Sequence, residues 1–273
     1  MINVSNEKAF WKAWLGAKSD KADIRGDADA PVKDPLEEGL EELSWIDSGR
    51  AAVSRFKKKT QTFGEEIGNA VSHGVMALLM LCLLPFAAVR AYTHAPAGKE
   101  ILDATGVSVF CIGVFLMFLG STVYHSMAHG TKHKGVMNRI DHIMIFVAIA
   151  GTYTPICLSI IGGVLGIVLC SLQWALVVAG ALFKALAFSK TAKSYIITIS
   201  IYILMGWMVV LCFPILIHGA TAPAFWLIVA GGICYTSGVV SFAMRFPFAH
   251  MVWHFLVDAG AICHFLAIVL FLR

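Results

Sequence analysis

Seven stretches of this chain are long and apolar enough to cross a bilayer, which leaves very few folds open to it. A hydrocarbon core about 30 Å thick takes about 20 predominantly apolar residues per helix. Windows near residues 68–91, 104–126, 139–160, 163–183, 195–217, 223–243 and 250–272 all qualify. Backbone groups in lipid must be satisfied within their own segment, so these windows read as helices. The expected fold class is all-α: a polytopic membrane protein built as a seven-transmembrane helix bundle. Composition agrees, with 58% hydrophobic and 14% charged residues and a mean hydropathy of +0.77, far from ordinary soluble usage. The Ile161-Gly162-Gly163 turn joins the third and fourth windows and residues His218 to Ala222 join the fifth and sixth, so each pair is an antiparallel hairpin.

The charges divide the chain into a polar segment, residues 1–60, and a membrane domain, residues 61–273. The segment lacks the apolar core and cleavage site of a secretory signal. Phe10, Trp11, Trp14 and Leu15 among Lys8, Lys12 and Lys18 fit an interfacial helix, or else a disordered tail. Asp20 to Glu42 is acidic and reads as a solvated linker. The seven cysteines fall in or beside apolar windows without a C-x-x-C pair, so they read as small buried hydrophobes rather than disulfide or metal sites.

Lysine and arginine set the orientation. Arg50, Arg55 and Lys57 to Lys59 precede the first window; Lys132, Lys134 and Arg139 follow the second; Lys184, Lys190 and Lys193 follow the fourth; Arg245 precedes the last. All of these share one side, which predicts a cytoplasmic N-terminus, an extracytoplasmic C-terminus, and a multi-pass protein of the plasma or inner membrane. The net charge of +4 reflects these flanks, and nothing resembles a nucleic-acid-binding stripe.

The polar residues inside the windows gather at the same side. His250 and His254, in HMVWH, stand four residues apart on one face of the last helix, the spacing of helical metal sites. The second window ends with Ser121, His125 and His129, and the third opens with Asp141 and His142. Ionisable groups in a span face protein or water. Three histidines and an aspartate at one depth suit zinc with an open position, Asp141 serving a water there; the alternative is a hydrogen-bonded knot that fixes helix packing. Glu66, Asn69 and His73 share a face of the first helix and either orient ligands or anchor the helix in the interface. Asp258 shares the face of His254 one turn deeper and is read as a partner to a neighbouring helix. His94, His133 and His218 read as surface residues and His264 as a packing residue.

These motifs resemble the haemolysin III family, grouped with the progestin and adipoQ receptors and the alkaline ceramidases. The matching pieces are EEIGNAVSHG, Ser121-x-x-x-His125, DHIMIFVAIAGTYTP, MGW at 205 to 207, GGICYTSGV and His250-x-x-x-His254, over about residues 60 to 273. The resemblance implies Zn2+ held by His125, His250 and His254, with Asp141 and Ser121 as the catalytic acid–base and supporting hydroxyl. It further implies a metal-dependent hydrolase of lipid amide bonds, ceramidase-like, whose lipid substrate enters laterally from the cytoplasmic leaflet. The competing class is non-enzymatic: a lipid-responsive factor or membrane-lesion protein with structural zinc. Membrane lipids are the expected partners, and a homo-oligomer is compatible with the sequence.

The orientation is checked by reporter fusions: alkaline phosphatase joined after Arg273 should be active and the same reporter at the Lys184–Lys193 link inactive. The reverse pattern would invert the topology.

Overall fold

The computed structural model describes residues 61–186, 192–244 and 246–271; the N-terminal segment, with its candidate interfacial helix and linker, lies outside the described residues. Among the described residues there is no strand. The helices are α1 (Phe63–His94), α2 (Glu100–Ser126), α3 (Lys132–Pro155), α4 (Gly163–Leu186), α5 (Ala192–Trp207), α6 (Phe213–Gly219), α7 (Ala222–Ala243) and α8 (Ala249–Phe265). A π-helical turn, Ile156–Ile161, extends α3, and another, Leu266–Leu270, extends α8. A 3-10 turn, Met208–Cys212, joins α5 to α6, so those two helices share one crossing and, among the described residues, seven helical segments are long and apolar enough to cross a membrane. Neighbours in sequence pack as neighbours in space from α1 to α4, α7 pairs with α8, and α8 closes back onto α1. Leu78, Val89, Val168 and Ile233 remain exposed on the outside, as a lipid-facing surface requires. All seven cysteines are free.

The α2–α3 interface is built on glycines seven residues apart, Gly106, Gly113 and Gly120. A β-carbon on Gly113 would lie 3.1 Å from the Val147 carbonyl oxygen, and one on Gly106 would lie 3.2 Å from the Pro155 α-carbon. Gly151 answers from α3, where a β-carbon would lie 3.2 Å from the Val109 carbonyl. Small residues let membrane helices approach backbone to backbone where apolar side chains gain nothing over lipid. The seam brings the end of α2, with Ser121 and His125, against the start of α3, with Asp141.

The fifth window, expected as one helix over 195–217, is broken. Pro214 occupies the first turn of α6 and has no N–H to continue the ladder, and the backbone tightens to the 3-10 form just before it. Freed backbone groups at the break are met from neighbouring spans: the Tyr153 hydroxyl donates to the Gly206 carbonyl at 2.8 Å and accepts from the Val209 N–H at 2.6 Å, while the Gln173 amide donates to the Met205 carbonyl at 3.0 Å. Irregular backbone at membrane depth is tolerated where protein satisfies it in this way. The hairpin after α3 turns through Gly162 and Gly163, with φ of 63° and 57°, the left-handed region that glycine enters without penalty.

Gly113→Val should force α2 from α3 at a cost of about 2 kcal/mol or more, seen as a lower thermal midpoint in detergent; an unchanged midpoint would show that the seam tolerates side chains.

Candidate metal centre

The first turn of α1 starts the site. Thr62 caps the helix: its side chain accepts from the Glu65 N–H at 3.3 Å, and the Glu65 carboxylate accepts from the Thr62 N–H at 2.7 Å, a reciprocal capping box. The other oxygen of Glu65 accepts from the Phe248 N–H at 2.9 Å. Phe248 holds a left-handed φ of 62° immediately before α8, a conformation a bulky residue keeps only when its surroundings compel it. Glu65 thus fixes where α8 begins, and with it the placement of His250 and His254.

Glu66, the next residue, reaches the opposite way. Its Oε2 accepts from His125 Nδ1 at 2.7 Å, and its Oε1 accepts from Lys134 Nζ at 3.0 Å and lies 3.2 Å from His129 Nε2. Lys134 also donates to the Met127 carbonyl at 2.9 Å, at the C-terminal end of α2. A buried lysine in the first turn of α3 opposes the helix dipole; the Glu66 carboxylate offsets it. One carboxylate therefore ties together α1, α2 and α3.

His125, His250 and His254 each present a ring nitrogen within 4.8 Å of the others, a group able to hold a metal ion. Hydrogen bonds assign the tautomers of His125 and His254. His125 spends its Nδ1 proton on Glu66, leaving Nε2 as a lone pair. Ser72 donates its hydroxyl proton to the Asn69 carbonyl at 3.1 Å and stands 3.3 Å from His254 Nδ1, so His254 donates through Nδ1 and its Nε2 is bare as well. The Nε2 atoms of His125 and His250 approach to 3.3 Å, about the edge of a tetrahedron with the 2.0–2.1 Å bonds that zinc makes to imidazole. A donor set of three imidazoles fits a metal ion such as zinc.

The remaining sequence candidates are placed around this group. Asp141, Ser121, His142 and His73 line a cavity together with His250 and His254. Asp141 Oδ2 lies 3.6 Å from His142 Nδ1, which contacts the Asn138 carbonyl at 2.7 Å. Asn69 is fully buried and donates to Gln61 at 3.3 Å. His73 stacks on His254 with ring centroids 3.7 Å apart, and its Nε2 is 3.7 Å from Asp258 Oδ1, too far for a hydrogen bond. Neither Asp258 nor His73 belongs to the three-histidine group. His94, His133 and His218 are exposed.

The cavity has a volume of about 180 Å³ and runs from these polar groups past Ile149, Ile156, Phe213 and Val229 to His264. Between His250 and His264 it follows α8 for about 21 Å at 1.5 Å per residue. Its walls come from α1, α2, α3, α5, α6, α7, α8 and the turns that follow α3 and α5, so the broken fifth span lines it. Sequence reading missed Glu65, Ser72 and Lys134. The adjacent Glu65 and Glu66, one turn into an apolar helix, were the available signal; Lys134 was hidden by treating every lysine as a solvated topology marker.

Comparison with known proteins follows the same residues. The sequence model of the family described as Haemolysin-III related matches residues 61–265. The chain is 32% identical to Hemolysin-3 of Bacillus cereus over 220 residues, 80% of this chain and 97% of that protein. It is 33% identical to the Hemolysin-3 homolog of Bacillus subtilis (strain 168) over 211 residues, 77% of this chain and 95% of the relative.

If Glu66 orients His125 in a metal site, Glu66→Gln should weaken binding of added divalent metal by about 10–100-fold, measured by chelator competition; unchanged affinity would show that the contact does not orient a ligand.

Proposed function

The chain belongs to the haemolysin-III related family, and from that footing we propose that it is a zinc-dependent membrane hydrolase acting on the amide bond of a ceramide-like lipid. The observation that carries the reading is that His250 and His254, grouped with His125, line one end of a largely apolar cavity about 180 Å³ in volume. A hydrophilic substrate gains nothing from such walls; a lipid tail buries against them at about 25 cal/mol per Å². The polar end, on the basic-flanked side of the bundle, is assigned to the cytoplasmic leaflet, with lateral entry between helices.

His125, His250 and His254 would hold the ion, which when bound polarises a carbonyl and makes water acidic near neutral pH. The chain supplies the proton handling. Asp141 lines the same cavity end; as a carboxylate it accepts a proton from water and returns it to the leaving amine. Ser121, 3% exposed on α2, supports that end with its hydroxyl. The apolar walls exclude bulk water, so the carboxylate and the imidazoles act in a medium that strengthens their interactions.

The names of the Bacillus hemolysins favour a second reading, membrane lesion. An aqueous pore needs polar groups through the whole thickness, and the cavity beyond Asp141 exposes mainly apolar surface, interrupted by Thr and Tyr side chains and by His264. That lining supports the hydrolase.

Elemental analysis of protein purified in mild detergent should give about one zinc per chain. His125→Ala and His254→Ala should lose it, whereas Asp141→Ala should keep it and lose ceramide hydrolysis by at least about 100-fold. Wild-type protein without metal after zinc is supplied, or full activity in Asp141→Ala, would end the proposal.

A further inference from the structure

The far end of the cavity holds a polar pair that the hydrolytic chemistry does not use. His264, on α8, lines the cavity there, and so does Tyr235, on α7. Their rings meet edge to face with centroids 5.3 Å apart. His264 Nε2 lies 3.2 Å from the Ile228 carbonyl. A carbonyl only accepts, so Nε2 carries the ring proton and Nδ1 is left as a lone pair. That Nδ1 is buried with no hydrogen-bond partner. Buried polar atoms are nearly always paired, and an orphan calls for an absent partner.

Two glycines make room for the pair. A β-carbon on Gly231 would lie 2.3 Å from His264 Cδ2, and one on Gly260 would lie 2.9 Å from the Tyr235 ring. Each helix thus withdraws its own side chain opposite the polar ring of the other. The sequence reading of His264 as a packing residue holds for its contact with Gly231, and omits the cavity.

We propose that His264 and Tyr235 form a hydroxyl-recognising subsite, and that the occupant of the cavity is a long-chain lipid carrying a hydroxyl group in the distal part of its chain. This rests on the reading of the cavity as a lipid site but not on hydrolysis. The orphaned Nδ1 accepts, so it selects a donor: a hydroxyl satisfies it, whereas a keto group brings a second acceptor. Depth sets the position, since His264 lies ten residues beyond His254, about 15 Å along the helix. A chain whose head sits at the histidine cluster reaches this level only with its distal carbons.

The test uses the full chain in detergent, with zinc content recorded for every sample. A fluorescent fatty acid is displaced by octadecanoic acid and by its monohydroxy derivatives, substituted at successive positions. Affinity should pass through one maximum for a distal hydroxyl, about tenfold above the parent acid, and the keto acid of the same position should not share it. His264→Phe should abolish the difference between hydroxylated and parent chains while zinc content stays, and His264→Gln, which keeps one donor and one acceptor, should restore part of it. The proposal is overturned if a hydroxyl weakens binding at every position, if the preference survives His264→Phe, or if no chain binds. Hydroxyl selectivity in protein that holds no zinc would sink the hydrolase reading and leave this one standing.

Discussion

Two adjacent carboxylates in the first turn of α1 organise the histidine cluster. They point in opposite directions. Glu65 closes its own capping box and receives the Phe248 N–H, holding the start of α8. Glu66 receives His125 and Lys134, holding the end of α2 and the start of α3. The next two helices and the distant α8 are thereby registered against α1 by charge-assisted bonds, which are stronger than neutral ones. Acidic groups at a helix N-terminus also suit the macrodipole, so the anchor agrees with the local structure that carries it.

The rest of the bundle divides between tight and open regions. The glycine seam closes α2 on α3 until backbone meets backbone, giving a firm wall beside Ser121 and Asp141. The fifth span does the opposite: broken near Pro214 and splinted by Tyr153 and Gln173, it borders the cavity rather than filling it. A rigid histidine cluster and a hollow apolar interior follow from these two choices of packing.

Much of this was legible in the sequence. The seven spans followed from apolar length alone, and the depth of His125, Asp141, His250 and His254 followed from lysine and arginine counted independently of them. What stayed hidden depended on pairing across helices. Lys134 looked like one more flank charge until Glu66 was found beside it. Ser72 carries no signal unless its own proton is seen to go to Asn69, and Pro214 marks a broken span only once its neighbours are known to satisfy the backbone. The period of seven in Gly106, Gly113 and Gly120 was present in the sequence and would have marked the seam.

The division of the three imidazoles between helices has a consequence for biosynthesis. His125 lies on α2, and the other two histidines lie on α8, which is synthesised later, His250 being 125 residues further along the chain. A chain still being made holds one imidazole of the set, and one nitrogen retains zinc poorly. Glu65 waits for its α8 partner over the same interval. A metal held by all three imidazoles could therefore be bound only after α8 has been inserted beside α1 and α2.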